Sequence, residues 1–187
     1  MFVKRHSAKH LSLCNTKHGI DNSGFLLQVC RYLLEAAKSG DVKTVKILVN
    51  CTTSNCTTDD QFRDTPLTIG ARLGHVEMVR VLLEGGADAE RTTANQQTAL
   101  HKAVLYGNLE VCRLLLDWGV KVDPLDKWQE TPLHDAARLG RLPVVKLLVE
   151  RGADIGLKNK NGQTARDLSR GFGKTDVVQY LDSESRG

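Results

Sequence analysis

No apolar run in this sequence approaches the roughly 18–20 residues needed to cross a bilayer, so no spanning helix is expected. A strong imbalance of charge is missing too. The chain carries 26 Lys and Arg against 22 Asp and Glu, a net +4 over 187 residues. Residues 1–24 hold Lys4, Arg5, Lys9 and Lys17 against Asp21 alone. Of the net +4 the rest of the chain therefore keeps about +1, and a nearly neutral body excludes a dedicated phosphate-backbone binder, which presents a dense basic face. No direct nucleic-acid contact is expected. Cysteines cannot all pair: Cys14, Cys30, Cys51, Cys56 and Cys112 make an odd count, with no secretory h-region before them. Free thiols in a reducing compartment, cytoplasmic and/or nuclear, are the simplest expectation.

What the sequence does have is repetition. Thr131-Pro132-Leu133-His134 is preceded by Thr98-Ala99-Leu100-His101 and Thr65-Pro66-Leu67-Thr68, and followed by Thr164-Ala165-Arg166-Asp167. Each copy lies 33 residues from the next, and Gly74, Gly107, Gly140 and Gly173 keep the same step. So do Gly86-Ala87-Asp88, Gly119-Val120-Lys121 and Gly152-Ala153-Asp154. An upstream copy spans Leu33–Val49 with its glycine at Gly40, one residue out of register.

Each unit reads as two helices. The first starts at Thr-Pro, where proline's fixed φ and missing N–H suit a first turn. It stops about eight residues later at a glycine able to take the left-handed conformation. The second carries Val76, Met78, Val79, Val81, Leu82 and Leu83, echoed by Val111, Leu114, Leu115 and Leu116 and by Val144, Val145, Leu147, Leu148 and Val149. Recurrence at three and four residues puts these on one helical face. A single pair cannot bury that face, but stacked neighbours can.

On these motifs the chain resembles the ankyrin-repeat family over roughly residues 25–185. The resemblance implies an all-α solenoid of stacked antiparallel helix pairs joined by hairpin-like loops, in five repeats (32–59, 60–92, 93–125, 126–158, 159–185) after a basic, disordered tail (1–24). Terminal repeats are expected to depart from the pattern, and Asp167, Arg170, Lys174, Asp176 and Gln179 would give the last one its wetted outer face. The family's loop glycine before Thr-Pro-Leu-His is replaced by Arg63, Gln96 and Gln129, with only Gly162 conforming. Those side chains would be strained at positive φ. The asparagine common after Gly-Ala-Asp is replaced by Glu90, Asp123 and Gly156, so the asparaginyl hydroxylation known in the family is not expected there.

Other patterns have plain structural readings. His101 and His134 sit where the period puts them, each against a threonine three residues earlier, and His75 opens a second helix. Arg170-Gly171-Phe172-Gly173-Lys174-Thr175 resembles a phosphate loop but lacks the first glycine, replaced by Leu168, and follows no strand. His6, His10, Cys14 and His18 recur every fourth residue, yet one straight helical row cannot close a tetrahedron around a metal. The tail is read as disordered, with a mitochondrial presequence or a basic patch for an acidic partner as alternatives. Phe25, Leu26, Val29, Cys30, Leu33, Leu34 and Ala37 have helical spacing and are expected to cover the end of the stack. Cys51 and Cys56 could pair if oxidised.

No nucleophile–base pair, metal set or cofactor loop survives, so no enzyme activity, metal or cofactor is expected. Function must come from surface shape. The resemblance implies binding through loop tips and the concave first-helix face. By register the tips are Phe62, Asp64, Asn95, Gln97, Lys127, Trp128, Glu130 and Asn161. The groove side is Lys38, Arg72, Leu105, Tyr106, Arg138 and Phe172. Phe62, Arg72, Asn95, Tyr106, Lys127, Trp128, Arg138 and Phe172 are the expected partner-binding residues, since Trp, Tyr and Arg dominate hot spots. Trp118 is expected at the loop base, partly in the core. The expected partner is a protein offering acidic or phosphorylated groups, docked on a monomeric adaptor, scaffold or inhibitor. The alternatives are a nuclear regulatory cofactor acting through bound transcription factors, and an isoform or fragment of a longer protein.

Overall fold

Four threonines set where the first helices begin. In a computed structural model, which describes residues 22–49, 56–57 and 61–185, Thr65, Thr98, Thr131 and Thr164 all take extended backbone and cap the helix that follows. The side chain three residues on completes a capping box each time. It is Thr68, His101, His134 and Asp167 in turn, so three chemistries do one task at one register. Pro66 and Pro132 then occupy the first helical position, where no N–H is needed.

Among the described residues there are ten helices and no strand. The first helices of the five units are α1 (Asn22–Ser39), α3 (Pro66–Leu73), α5 (Ala99–Tyr106), α7 (Pro132–Leu139) and α9 (Ala165–Gly171). The second helices are α2 (Val42–Leu48), α4 (Val76–Glu84), α6 (Leu109–Asp117), α8 (Leu142–Glu150) and α10 (Thr175–Glu184). First helices pack side by side in one layer and second helices in another, and each pairs with its own mate. One continuous core runs through the stack, and Leu33, Leu67, Met78, Leu82, Leu100, Leu115, Leu133, Leu148 and Leu181 are fully buried within it.

The expected end-covering helix and the first helix of the first repeat turn out to be one element. α1 begins at Asn22, inside the stretch read as tail, and buries Val29, Leu33, Leu34 and Ala37 against α2 and α3. The four-residue row of His6, His10, Cys14 and His18, and the targeting readings of residues 1–21, lie outside the described residues. The cysteine expectation is corrected. Cys56, brought in from the loop, is disulfide-bonded to Cys30 of α1 rather than to Cys51, which lies outside the described residues. Spacing in sequence favoured Cys51, whereas the fold sets Cys56 beside α1. Of the thiols expected to be free, Cys112 is; it is buried in α6, with burial pushing it up to about 12, and is inert.

Three sets of hydrogen bonds join neighbouring units from the second to the fifth. The Nε2 of His101 lies 3.1 Å from the Glu130 carbonyl and that of His134 3.1 Å from the Gln163 carbonyl. A carbonyl only accepts, so Nε2 carries the proton. The loops are joined tip to tip, the amides of Ala94, Lys127 and Lys160 donating to the carbonyls of Phe62, Asn95 and Trp128. Arg63, Gln96 and Gln129 do adopt positive φ in these loops, at 51, 60 and 58°, as Gly162 does at 73°.

The third set clamps helix ends. Gly107 closes α5 at φ 76°, and a Cβ there would lie 2.2 Å from Nη1 of Arg141. Arg141 needs that space because its Nη2 donates to the Leu105 carbonyl at 2.9 Å. One unit earlier Asn108 does the same, donating to the Ala71 and Arg72 carbonyls at 2.8 and 2.9 Å. These side chains satisfy carbonyls that a helix end leaves unpaired.

Gly119 has the same kind of backbone, φ 88°, with nothing within 4 Å of a Cβ. Left-handed alanine costs roughly 1–2 kcal/mol at either site. Thermal melts should therefore show Gly119→Ala losing about that much and Gly107→Ala losing more, because Arg141 is also displaced. Equal losses would mean that the Arg141 clamp adds nothing.

Candidate binding surface

The ends of α3, α5, α7 and α9 each present one large apolar side chain to solvent. Leu73, Tyr106, Leu139 and Phe172 occupy the same register, immediately before the glycine, and are 42, 55, 38 and 58% exposed. The residues two and three places earlier, such as Ala71, Ala103, Val104, Ala136 and Ala137, are buried between helices. Positions two apart stand about 200° apart around a helix, so the last residue turns away from the side that buries Ala71, Val104 and Ala137. Four such side chains on four adjacent helices form a stripe across the first-helix layer, and ordinary surfaces do not keep large apolar patches open without use.

Tyr106 and Phe172 of this stripe were expected from the sequence. Leu73 and Leu139 were not, although the 33-residue register that places Tyr106 places them equally. Leu105, beside Tyr106, is half-buried.

The cationic groove is thinner than expected. Lys38 is paired with Glu35 at 3.0 Å, and Arg138 is held by Asp135 and lies 3.6 Å from Glu130. Asp135 is 1% exposed, and burial pushes its carboxyl up to about 7 against the pull of the Arg138 guanidinium. Arg72 is different. Its guanidinium lies 5.9 Å from the centre of the Tyr106 ring, its Nε is shielded from water without a hydrogen-bond partner, and no carboxylate among the described residues forms an ion pair with it. Tyr106 and Arg72 are thus brought together across two repeats.

At the tips, Phe62 and Trp128 stand 50 and 46% exposed in the same register. Lys127 lies with its ammonium 4.2 Å from the centre of the Trp128 ring and donates to Asn95 Oδ1 at 2.6 Å. It therefore links Asn95 to Trp128 and leaves much of the indole open. Asn161 is exposed, Asn95 half-buried, and Lys160 donates to the Lys127 carbonyl. Asp64 and Gln97, expected at the tips, are buried, and Glu130 is half-buried, because the residue before the threonine turns in towards the helix start. Trp118, expected at the loop base and partly in the core, is 48% exposed at the end of α6, beside Arg80, Glu110 and Arg113.

The two buried histidines belong to the scaffold. His101 Nδ1 accepts from the Thr98 amide at 3.3 Å and His134 Nδ1 from the Thr131 amide at 3.2 Å. With Nε2 committed to a carbonyl, both rings are neutral, and burial holds each below the ordinary imidazole value. Among the described residues no group of three or more His, Cys, Asp or Glu is placed to hold a metal ion, and no helix is long and apolar enough to cross a membrane.

The sequence model for ankyrin repeats matches the chain in three overlapping stretches, residues 33–126, 89–159 and 119–185. The BTB/POZ domain-containing protein 3 of Schizosaccharomyces pombe is similar over 72 residues at 38% identity, covering 38% of this chain. The chain spans only 14% of that relative's length.

The imidazoles and Asp135 make opposite contributions to the pH dependence of stability. With folded values below 6.5, the rings stabilise fully above that pH and lose their contribution as pH falls through it. Asp135, raised from 3.8 to about 7, holds its proton in the folded chain, so its contribution grows as pH falls between those values. From about pH 7.5 to about 5.5 the urea midpoint should fall more steeply in Asp135→Asn than in the native chain. It should flatten in a His101→Thr/His134→Thr variant, which keeps the capping hydroxyl seen at Thr68.

Proposed function

Because the chain belongs to the ankyrin-repeat family, we propose that it is a non-catalytic adaptor that docks a partner protein on its first-helix face and loop tips. Ankyrin repeats are in general protein–protein interaction modules, and members of the family are typically not catalysts. What supports this reading here is one observation, the exposure of a large apolar side chain at the ends of four adjacent first helices, Leu73, Tyr106, Leu139 and Phe172, together with the exposed Phe62 and Trp128 at the loop tips. The buried imidazoles, by contrast, are engaged in capping and in joining units.

On this reading the partner sets apolar side chains on the stripe and an aromatic or aliphatic contact against the open face of Trp128. Lys127, already tied to Asn95, holds that indole in place, so little side-chain freedom is lost on binding. Arg72, the groove cation without a carboxylate, draws an acidic or phosphorylated group.

Trp128→Ala should weaken partner binding by about 2 kcal/mol or more while leaving the melt nearly unchanged. Leu133→Ala, at a fully buried site, should instead cost about 2–5 kcal/mol of stability. Titration calorimetry and thermal melts on both variants separate the two roles. Equal melting losses would make Trp128 part of the packing.

A further inference from the structure

We propose that the bond between Cys30 and Cys56 is a redox-operated staple. Formed, it holds the first repeat closed on the stack; reduced, it lets that repeat open while the other four stay folded. This goes beyond the docking reading and does not rest on it.

The first unit has the least to hold it. Among the described residues α1 packs on α2 and α3, and α2 on α1 and α4, so a neighbouring unit covers it on one side only. None of the three hydrogen-bond sets that join the later units reaches it among those residues. The ion pair across this boundary, Lys46 with Glu77 at 3.3 Å, has both side chains more than half exposed and adds little.

The disulfide stands where those ties are missing. Cys30 lies in α1, and Cys56 lies beyond α2, in the chain that leads to Thr65 and α3. The bond spans 26 residues of sequence, and the fully buried Leu33, Ala37 and Val45 all fall inside the closed loop. A crosslink of this kind removes conformations from the opened chain and few from the closed one, so its loss falls on the opening of the segment it encloses. Units two to five keep their own bonds to one another whether or not it is formed.

Exchange with a dithiol operates the staple. Cys56 is buried and Cys30 half-buried, so an incoming thiolate meets the bond at Sγ of Cys30. Attack there forms a mixed disulfide and breaks the Cys30–Cys56 bond, and Cys56 leaves as a thiolate that takes up a proton. The reductant's second thiolate then attacks its own bound sulfur and releases Cys30, which is protonated in turn. Two electrons and two protons pass to the protein and the dithiol becomes a disulfide; the reverse exchange remakes the bond. Cys112, buried in α6, takes no part.

Limited proteolysis of the full chain with trypsin tests this on one preparation in three conditions: bond formed, reduced with dithiothreitol and freed of reductant, and reoxidised with oxidised glutathione. Peptide mass mapping reports whether Cys30 and Cys56 are linked. Cleavage at Lys38 and Lys43, inside the loop, should speed up about thirtyfold or more on reduction and slow again on reoxidation. Arg113 and Lys146, also exposed on their helices α6 and α8, should stay uncut over the same period. Cys30→Ser should be cut fast at Lys38 and Lys43 with or without reductant; should that variant not fold, the redox states of the native chain decide alone. The absence of a linked Cys30–Cys56 peptide, equal cleavage in the two states, or equally early cuts at Arg113 and Lys146 on reduction would each overturn the proposal. So would reoxidation that remakes the bond and leaves cleavage at Lys38 and Lys43 fast.

Discussion

No helix pair in this chain can bury its own apolar side, and everything else follows from that constraint. α6 shows it plainly: Val111, Cys112, Leu114 and Leu115 are all buried, yet their own partner α5 is only eight residues long. The rest of their cover comes from the units on either side. Stability is then the sum of contacts between like neighbours, and the period of 33 residues is the repeat distance of one such contact.

Directional bonds sharpen what burial begins. The imidazole of His101 or His134 closes its own helix start and reaches the carbonyl of the next loop, so one side chain serves two units. Arg141 and Asn108 finish the preceding helix end in the same way. These polar groups serve to join units. The residue just before the glycine at the ends of α3, α5, α7 and α9 takes no part in that joining, and there the exposed apolar side chains stand.

Much of this was legible in sequence because the period ties local signals to packing. The Thr-Pro starts, the glycine stops and the histidine caps all stand where the repetition of Thr131-Pro132-Leu133-His134 puts them, and three consecutive loop residues at positive φ mark where glycine was given up. The site was harder to read. Register identified Tyr106, Phe172, Phe62 and Trp128 but says nothing of how far a side chain turns, so Asp64 and Gln97 were expected outside and are buried. Net charge by register likewise made Arg138 a free cation, when Asp135 and Glu130 hold it. The pairing of Cys30 with Cys56 depends on where Cys56 sits beside α1, which no period encodes.

If mutual burial is the source of stability, the units should open together. Native-state hydrogen exchange on the full chain tests this most directly, by comparing the slowest amides of α5 and α7 with the free energy of global urea unfolding. The account predicts one shared opening energy equal to the global value. Distinct, smaller values for the two helices would show that each unit stands by itself, and would contradict it.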